Sequence, residues 1–572
     1  MNWRNALRKQ KSFPFLTQES RVEQQDGVVA PPSSAPPVTV QQQANSKPKR
    51  QKSNALRAGL AIVSGRAAGA LSRRLHLGGG TSIVGAVAQR LYPDIIEHLA
   101  SQLKYGCVIV TGTNGKTTTS GFVSAIINDA GLRVWRNREG ANLLRGVASS
   151  LVIRALPNGH LRRSGHAISV LEIDEAVLPQ IVQVITPRVI VFTNLFRDQL
   201  DRYGEVDSVL AYWKQAIAAL PATTTLILNA DDPAIAALGI QYPGPIIYYG
   251  IDDLSFDLLS QQQTPSQHQV MDTRTCPMCG ATYEYEMRFY SHMGHYKCPT
   301  CGQRRPQPNV RATQIETSGF DRLSMYITTP TYGGKLIVPL PGLYNIYNAL
   351  AAVATAQALS ISWEPVVSGI EQFKPAFGRG ERIQVEGRTL RLLLAKNPTG
   401  FNEVLRTLFQ EQQPRHVFFI LNDNAADGRD VSWIWDVDFE RAAGLLKTVV
   451  VGGTRALDLS LRLKYAGVPL ENITIVPSTP LRTIRSPKTS RKRKTRANRS
   501  DNAITALATT PDENELHRPY GYGLKNALNA ALQQTPTGET LFIVPTYTGL
   551  LEVHHELEQR GLAPHYWEGR DA

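Results

Sequence analysis

Two stretches of this 572-residue chain combine residue types at spacings that can do chemistry. The first is VIVTGTNGKTTT, residues 108–119. An apolar run ends at Gly112, a loop turns at Gly115, and Lys116 with Thr117 opens the next helical stretch. Backbone N–H groups at a helix N-terminus attract anions, a lysine neutralises them, and a neighbouring threonine hydroxyl can ligate Mg²⁺. Val110 stands where the generic phosphate-loop pattern has glycine, so this is a shortened form, GxxGKT. Gly112, Thr113, Asn114, Gly115, Lys116, Thr117 and Thr118 are the expected phosphate contacts, and Thr117 an expected Mg²⁺ ligand.

The second stretch is a pair of knuckles, CPMCG at 276–280 and CPTCG at 298–302, with 18 residues between Cys279 and Cys298. Four thiolates so spaced can close a tetrahedral Zn²⁺ site of Cys276, Cys279, Cys298 and Cys301, and a site without an open position is structural. Disulfide pairing is disfavoured in a reducing cytoplasm. The fifth cysteine, Cys107, lies in an apolar run and reads as a small buried hydrophobe.

The hydrophobic pattern describes the scaffold these groups need. Apolar residues recur at helical spacing from Leu56 to about Leu103. Then CVIVTG, SVLEID, VIVFTN and TLILNADD read as strands alternating with helices, which gives a parallel sheet covered by helices. The cysteine knuckles and a β-rich stretch interrupt this series near 255–330, and NIYNALAAVATAQALS closes it. RLLLAK, HVFFILND, TVVVGG and TLFIVPTY begin a second series near 385. The expected fold is α/β: a P-loop ATPase domain over 53–380 with a Cys₄ zinc ribbon inserted at about 270–305, then a Rossmann-like α/β domain over 381–572. Residues 1–52, rich in Pro, Gln and Ser, read as a disordered tail, and about 478–515 as a disordered basic insertion.

Composition excludes several classes. With 42% hydrophobic and 19% charged residues the chain can pack two or three domains. No apolar run is long enough to span a bilayer and the start has no secretory h-region, so a cytoplasmic protein is expected. The net charge of +14 suggests nucleic acid, but it is concentrated: residues 1–57 carry ten Lys/Arg against three acids, and 481–500 carry nine and none. The remainder is near neutral, so no nucleic-acid partner is expected.

TGTNGKTTT is similar to the phosphate loop of the Mur ligase family, ATP-dependent acyl-activating ligases that include folylpolyglutamate synthases. LEIDEA places Glu172 where that family keeps a Mg²⁺-binding glutamate, and NLFRDQLDRYG resembles its N-x-x-x-D-H-x-D-R block, with Asp198 kept and Gln199 in place of histidine. By spacing, Lys214 falls where many members carry a carbamylated lysine; a snorkelling surface lysine fits equally. LNADD, with Asp231 and Asp232, and YNIYNALAA, with Asn345 and Asn348, resemble further family segments, implying Asn348 at adenine. FGRGERI resembles the junction whose arginine, Arg379, would approach the ribose or phosphates. Lys396 and Leu393 replace the histidine and aspartate of the family's D-x-A-H-N-P segment. The knuckles and LNDNAADGRDVSWIWDVDFE together resemble the MurT branch, synthetase subunits of lipid II isoglutaminyl synthase.

That resemblance implies ATP, Mg²⁺ and structural Zn²⁺ as cofactors, with Lys116 and Glu172 acting in catalysis. It implies ammonia delivered by a GatD-type glutaminase partner, lipid II as acceptor at the inner face of the plasma membrane, and amidation of the D-glutamate α-carboxylate to D-isoglutamine. An aspartate of this chain would complete the partner's triad: Asp423, with Asp427 and Asp430 as alternatives. Trp433 and Trp435 read as core or interface. The competing readings are a stand-alone amino-acid-adding ligase and a zinc-ribbon nucleic-acid binder.

Overall fold

The computed structural model describes residues 51–75, 81–137, 142–198, 206–257, 272–374, 378–479 and 521–563. The expected tail, apart from its last two residues, lies outside them, as do Gln199 and nearly all of the basic insertion.

The strands are β1 (Cys107–Thr111), β2 (Arg133–Arg136), β3 (Ala167–Glu172), β4 (Val189–Phe192), β5 (Thr225–Asn229) and β6 (Ile246–Ile251). They lie parallel in the order β6-β5-β4-β1-β3-β2. β1 sits where the strand order reverses, and the crevice at the carboxyl ends of such strands is where α/β sheets bind ligands. Side chains of β1 alternate between two cores, Val108 and Val110 on one face, Cys107 and Ile109 on the other. Burial on both faces explains why these strands read as continuous apolar runs. It also pushes the Cys107 thiol up to about 12, so this cysteine is core, as expected.

The cysteine segment forms its own hairpin, β7 (Glu284–Tyr290) and β8 (Met293–Lys297). Three further strands, β9 (Val310–Ser318), β10 (Arg322–Thr328) and β11 (Gly333–Val338), extend the first sheet beyond β6 to nine. β9 joins β6 in parallel and the last two pairings are antiparallel.

The second sheet contains β12 (Arg379–Val385), β13 (Arg388–Leu393), β14 (Arg415–Ile420), β15 (Leu446–Gly453), β16 (Ile473–Pro477) and β17 (Thr540–Pro545). Its order is β12-β13-β17-β14-β15-β16, parallel except for β12. β12 straddles the expected 380/381 boundary and pairs from Arg379 onward with β13, so it belongs to the second sheet.

Ahead of β1, helices α1 (Gln51–Arg74) and α2 (Thr81–Leu91) pack with the helix Leu144–Arg154. A Cβ added at Gly85 of α2 would lie 2.1 Å from the Arg145 carbonyl oxygen and 2.7 Å from the Ser149 nitrogen. Gly→Ala in a helix normally gains up to about 1 kcal/mol; here the added methyl must push α2 away from its neighbour. Gly85→Ala is expected to destabilise this unit by about 1–3 kcal/mol, read as an earlier first transition in urea.

Candidate active site

The loop after β1 is shaped by two glycines that other residues could not replace. Gly112 has φ +133° and its added Cβ would meet Thr193 Oγ1 at 2.0 Å; Gly115 has φ +84° and would meet Asn348 Oδ1 at 2.1 Å. Gly115 N-caps the helix Lys116–Asp129, whose first residues Lys116 to Thr118 line the cleft. Asn194, just after β4, pins the loop: its Oδ1 accepts from the Asn114 amide at 2.9 Å and its Nδ2 donates to the Asn114 carbonyl at 3.1 Å.

Around this loop a cavity of about 380 Å³ is lined by Thr113 to Thr118, Glu172, Glu175, Asn194, Asp198 and Asn348 from the first sheet's side, and by Lys396, Glu403 and Ala426 from the second. Thr117 Oγ1 donates to Glu172 Oε1 at 3.1 Å, so the two residues expected at Mg²⁺ are neighbours. Their oxygens are a hard donor set of the kind Mg²⁺ takes.

Lys116 Nζ lies 2.8 Å from Glu175 Oε1, both buried. Burial opposes the ammonium, but the carboxylate of Glu175, with Glu172 and Asp174 behind it, outweighs burial and holds Lys116 above the ordinary lysine value. Glu175 was not singled out by sequence reasoning, although LEIDEA contains it three residues after Glu172.

The second sheet closes the cleft through adjacent residues. Lys396 Nζ donates to Asp198 Oδ2 at 2.7 Å. Asn397 and Asn114 form a reciprocal amide pair, at 3.0 Å and 3.3 Å, while Asn397 Oδ1 caps the helix Pro398–Phe409 through the Gly400 amide. Glu403, on that helix, is buried and paired with the half-buried Arg406; burial pushes its carboxyl up against the pull of the arginine. Asn194, Asn397 and Glu403 also escaped sequence reasoning, since nothing local marks residues that meet only across a tertiary seam.

Other expected residues have other surroundings. Asn348 lines the cleft, but its amide accepts from Thr119 and donates to Asn345 beneath Gly115, a contact set that braces the phosphate loop. Arg379 opens β12, and its side chain lies outside those described. Lys214 is exposed and does not line the cleft; its neighbour Trp213 faces inward and donates to the Glu175 carbonyl. This exposure agrees with the surface-lysine alternative. Asp231 and Asp232 are wholly buried: Asp231 accepts from Arg305, Tyr347 and the Ile251 amide, and Asp232 caps a helix at Pro233.

The four cysteine Sγ atoms lie within 4.8 Å of one another. Zn–S bonds of about 2.3 Å place tetrahedral sulfurs about 3.8 Å apart, so the cluster fits Zn²⁺ with little adjustment. Gly280 and Gly302 follow the knuckles at φ +76° and +75°, turns that favour glycine. Amides of Cys301 and Thr300 hold the Cys298 thiol down to about 6, while burial and neighbouring thiols push Cys301 up to about 12. The hairpin between the knuckles carries Tyr290 into the cleft wall.

The three candidate aspartates separate by environment. Asp427 is buried and accepts from the Thr548 amide and hydroxyl, closing the turn into the helix Tyr547–Gln559. Asp430 accepts from the Ser432 amide at 2.8 Å. Asp423 is partly exposed, with Thr454 Oγ1 at 2.7 Å and Arg455 Nη1 at 3.2 Å. Trp433 packs on Phe401, whereas Trp435 is half exposed beside Tyr465.

Residues 110–296 match the Mur ligase middle domain and residues 394–500 the MurT ligase C-terminal domain. The MurT subunit of the glutamine-hydrolysing lipid II isoglutaminyl synthase of Streptococcus pneumoniae is 36% identical over 422 residues, 73% of this chain and 89% of that one. The chain belongs to the MurT branch of the Mur ligase family. The corresponding Staphylococcus aureus subunit is 34% identical, covering 72% of this chain and 87% of its own. Two solved structures share the fold: a pseudomurein peptide ligase type C from Methanothermus fervidus (TM-score 0.54, 23% identity, 79% of this chain and 78% of that one) and MurF from Acinetobacter baumannii (0.52, 17%, 84% and 80%). As a MurT-branch protein the chain is an ATP-dependent ligase.

Gly115→Ala in this MurT-type ligase is expected to weaken ATP binding and turnover at least about 100-fold, measured by nucleotide titration. The purified chain is expected to carry about one Zn²⁺, and Cys298→Ser to lose it and lower the thermal midpoint, read by metal analysis and calorimetry.

Proposed function

We propose that this chain is the synthetase subunit that amidates the α-carboxylate of D-glutamate in the lipid II stem peptide, giving D-isoglutamine for peptidoglycan synthesis. The observation that carries this reading is its likeness to two MurT subunits along most of their length, joined to a cleft that combines a phosphate loop with a MurT-type second domain. In this reading residues 53–378 form the ATP-binding domain with a zinc-ribbon insertion, and the second sheet is a Rossmann-like domain that closes over it.

Amide formation from a carboxylate is uphill near neutral pH, so one carboxyl oxygen must become a leaving group. Transfer of the ATP γ-phosphoryl to that oxygen does this. Thr117 and Glu172 would hold a Mg²⁺ ion, which when bound would supply charge neutralisation at the phosphates. Lys116, kept charged by Glu175, and the loop amides stabilise the same charge by positioning and electrostatics. In this reading Asn348, which lines the cleft, and Arg379 would contact the nucleotide. Ammonia then attacks the acyl phosphate: the C–N bond forms, the C–O bond to phosphate breaks, and inorganic phosphate leaves carrying the proton that the nitrogen gives up.

Ammonia is scarce near neutral pH because most of it is protonated, which favours a GatD-type glutaminase as donor. Asp423 is the preferred aspartate for completing a partner's triad: it is partly exposed and held by the side chains of Thr454 and Arg455, whereas Asp427 is buried and Asp430, though exposed, accepts from the Ser432 amide. Beside Arg455, the helix Ala456–Tyr465 exposes Leu457, Leu461 and Tyr465, an i, i+4, i+8 apolar stripe next to Trp435, which suits partner docking. A lipid-linked acceptor would bring the complex to the inner face of the plasma membrane.

The test is lipid II amidation from glutamine and from ammonium, with and without a GatD-type partner. Lys116→Ala is expected to lower both routes by about 100- to 1,000-fold. Asp423→Ala is expected to abolish the glutamine route and leave the ammonium route intact. Loss at Asp427→Ala or Asp430→Ala instead would move the triad role. ATP turnover with an amino acid and no lipid II amide would replace this reading with a stand-alone ligase.

A further inference from the structure

The helix α1 is built inside out. Its buried face consists of Ala58, Gly59, Ala61, Gly65, Gly69 and Ser72, with Ile62 among them. A Cβ at Gly59 would lie 2.1 Å from the Pro157 carbonyl oxygen, and one at Gly65 2.6 Å from that of Val84, so this close packing requires small residues. The large apolar side chains face outward. Leu56 is 80% and Leu60 64% exposed, and Val63, Leu71 and the following Leu75 are each about half exposed or more. At about 100° per residue, positions 56, 60, 63 and 71 share one face and 75 lies at its edge. A helix that met only water there would carry polar residues.

The charge carried by α1 and α2 themselves has one sign, although Asp94 and Glu97 follow directly after. Residues 51–93 contain Lys52, Arg57, Arg66, Arg73, Arg74 and Arg90 and no Asp or Glu. Arg66 is spent on the carbonyls of Ile153 and Ala155, tying α1 to the neighbouring helix, while Arg57 and Arg74 are exposed. Among the described residues no helix is long and apolar enough to cross a membrane. A helix with an apolar outward stripe flanked by arginines is suited to lie in a bilayer interface, its leucines at the acyl boundary and its guanidinium groups on lipid phosphates.

We infer that the exposed Leu56–Leu75 face of α1 docks the protein on an anionic bilayer. The attraction is to headgroup charge and acyl chains, so it holds whether or not lipid II is the acceptor.

The test is sedimentation of the full chain with vesicles that contain no lipid II. One set is phosphatidylcholine alone and the other includes about 30% phosphatidylglycerol, at low and high salt. The chain is expected to bind the anionic vesicles at least about tenfold more tightly than the neutral ones, with the preference falling as salt screens it. The triple variant Leu56→Ser/Leu60→Ser/Val63→Ser is expected to lose at least about tenfold in binding with its thermal midpoint kept, because these side chains touch little of the fold. Arg57→Glu/Arg74→Glu is expected to erase the anionic preference. No vesicle binding by the unaltered chain would overturn the inference. So would undiminished binding by the serine variant, which would move the contact to another basic segment such as 481–500. If the serine variant instead turns a dimer into a monomer in sedimentation velocity while vesicle binding is unchanged, a second copy of the chain covers the stripe.

Discussion

The cleft depends on one side chain, Asn397, which joins the two sheets at the phosphate loop. Its Oδ1 caps the helix Pro398–Phe409 and its amide is paired reciprocally with that of Asn114. Asn114 is in turn held through its own backbone by Asn194 after β4. The chain of contacts therefore runs from the first sheet, through the loop, into the first turn of a helix of the second. Planar amides have a donor and an acceptor at fixed angles, so a reciprocal pair specifies position to hydrogen-bond tolerance. The salt bridge Lys396–Asp198 beside it adds attraction with less directional demand.

Buried charge sets the other constraint. Lys116 and Glu175 are both inside the protein, and removing one partner of such a pair typically costs about 3–5 kcal/mol because the other is left uncompensated. Asp231 has the same character on a larger scale. It takes hydrogen bonds from Arg305 after the cysteine knuckles, from Tyr347 on the helix Leu343–Ala358, and from the Ile251 amide at the end of β6. This one carboxylate staples the cysteine insertion to the ATP-binding sheet. Tyr290, at the far end of the same hairpin, lines the cleft, so the order of the insertion reaches the site.

Much of the fold was legible because its signals are local. β1 and its loop announce themselves by an apolar run, two glycines and GKT, and the geometry of each glycine shows why no other residue would serve. The knuckles are equally compact, each complete within five residues. Legibility fails where one residue of rotation matters. Trp213 and Lys214 are adjacent on a helix, about 100° apart, and the tryptophan has the inward place. It fails too among Asp423, Asp427 and Asp430, alike in type and within one loop, of which burial singles out Asp427 alone. The exposed stripe of α1 was visible only as helical periodicity; which face is outward depends on the glycines that let it pack closely on its neighbours.

The sequence by itself determined the α/β alternation, the phosphate loop, the four-thiolate cluster and the family resemblance, because each rests on spacing within a few residues or on burial that repeats along one strand. Only the tertiary structure decided that Glu175 holds Lys116, that Asn397 meets Asn114 across 283 positions, and that Asp427 is buried while Asp423 and Asp430 keep access to solvent. Those pairings join segments far apart in the chain. Their partners are chosen by how two sheets and their helices pack, and no local pattern of residue types encodes that choice.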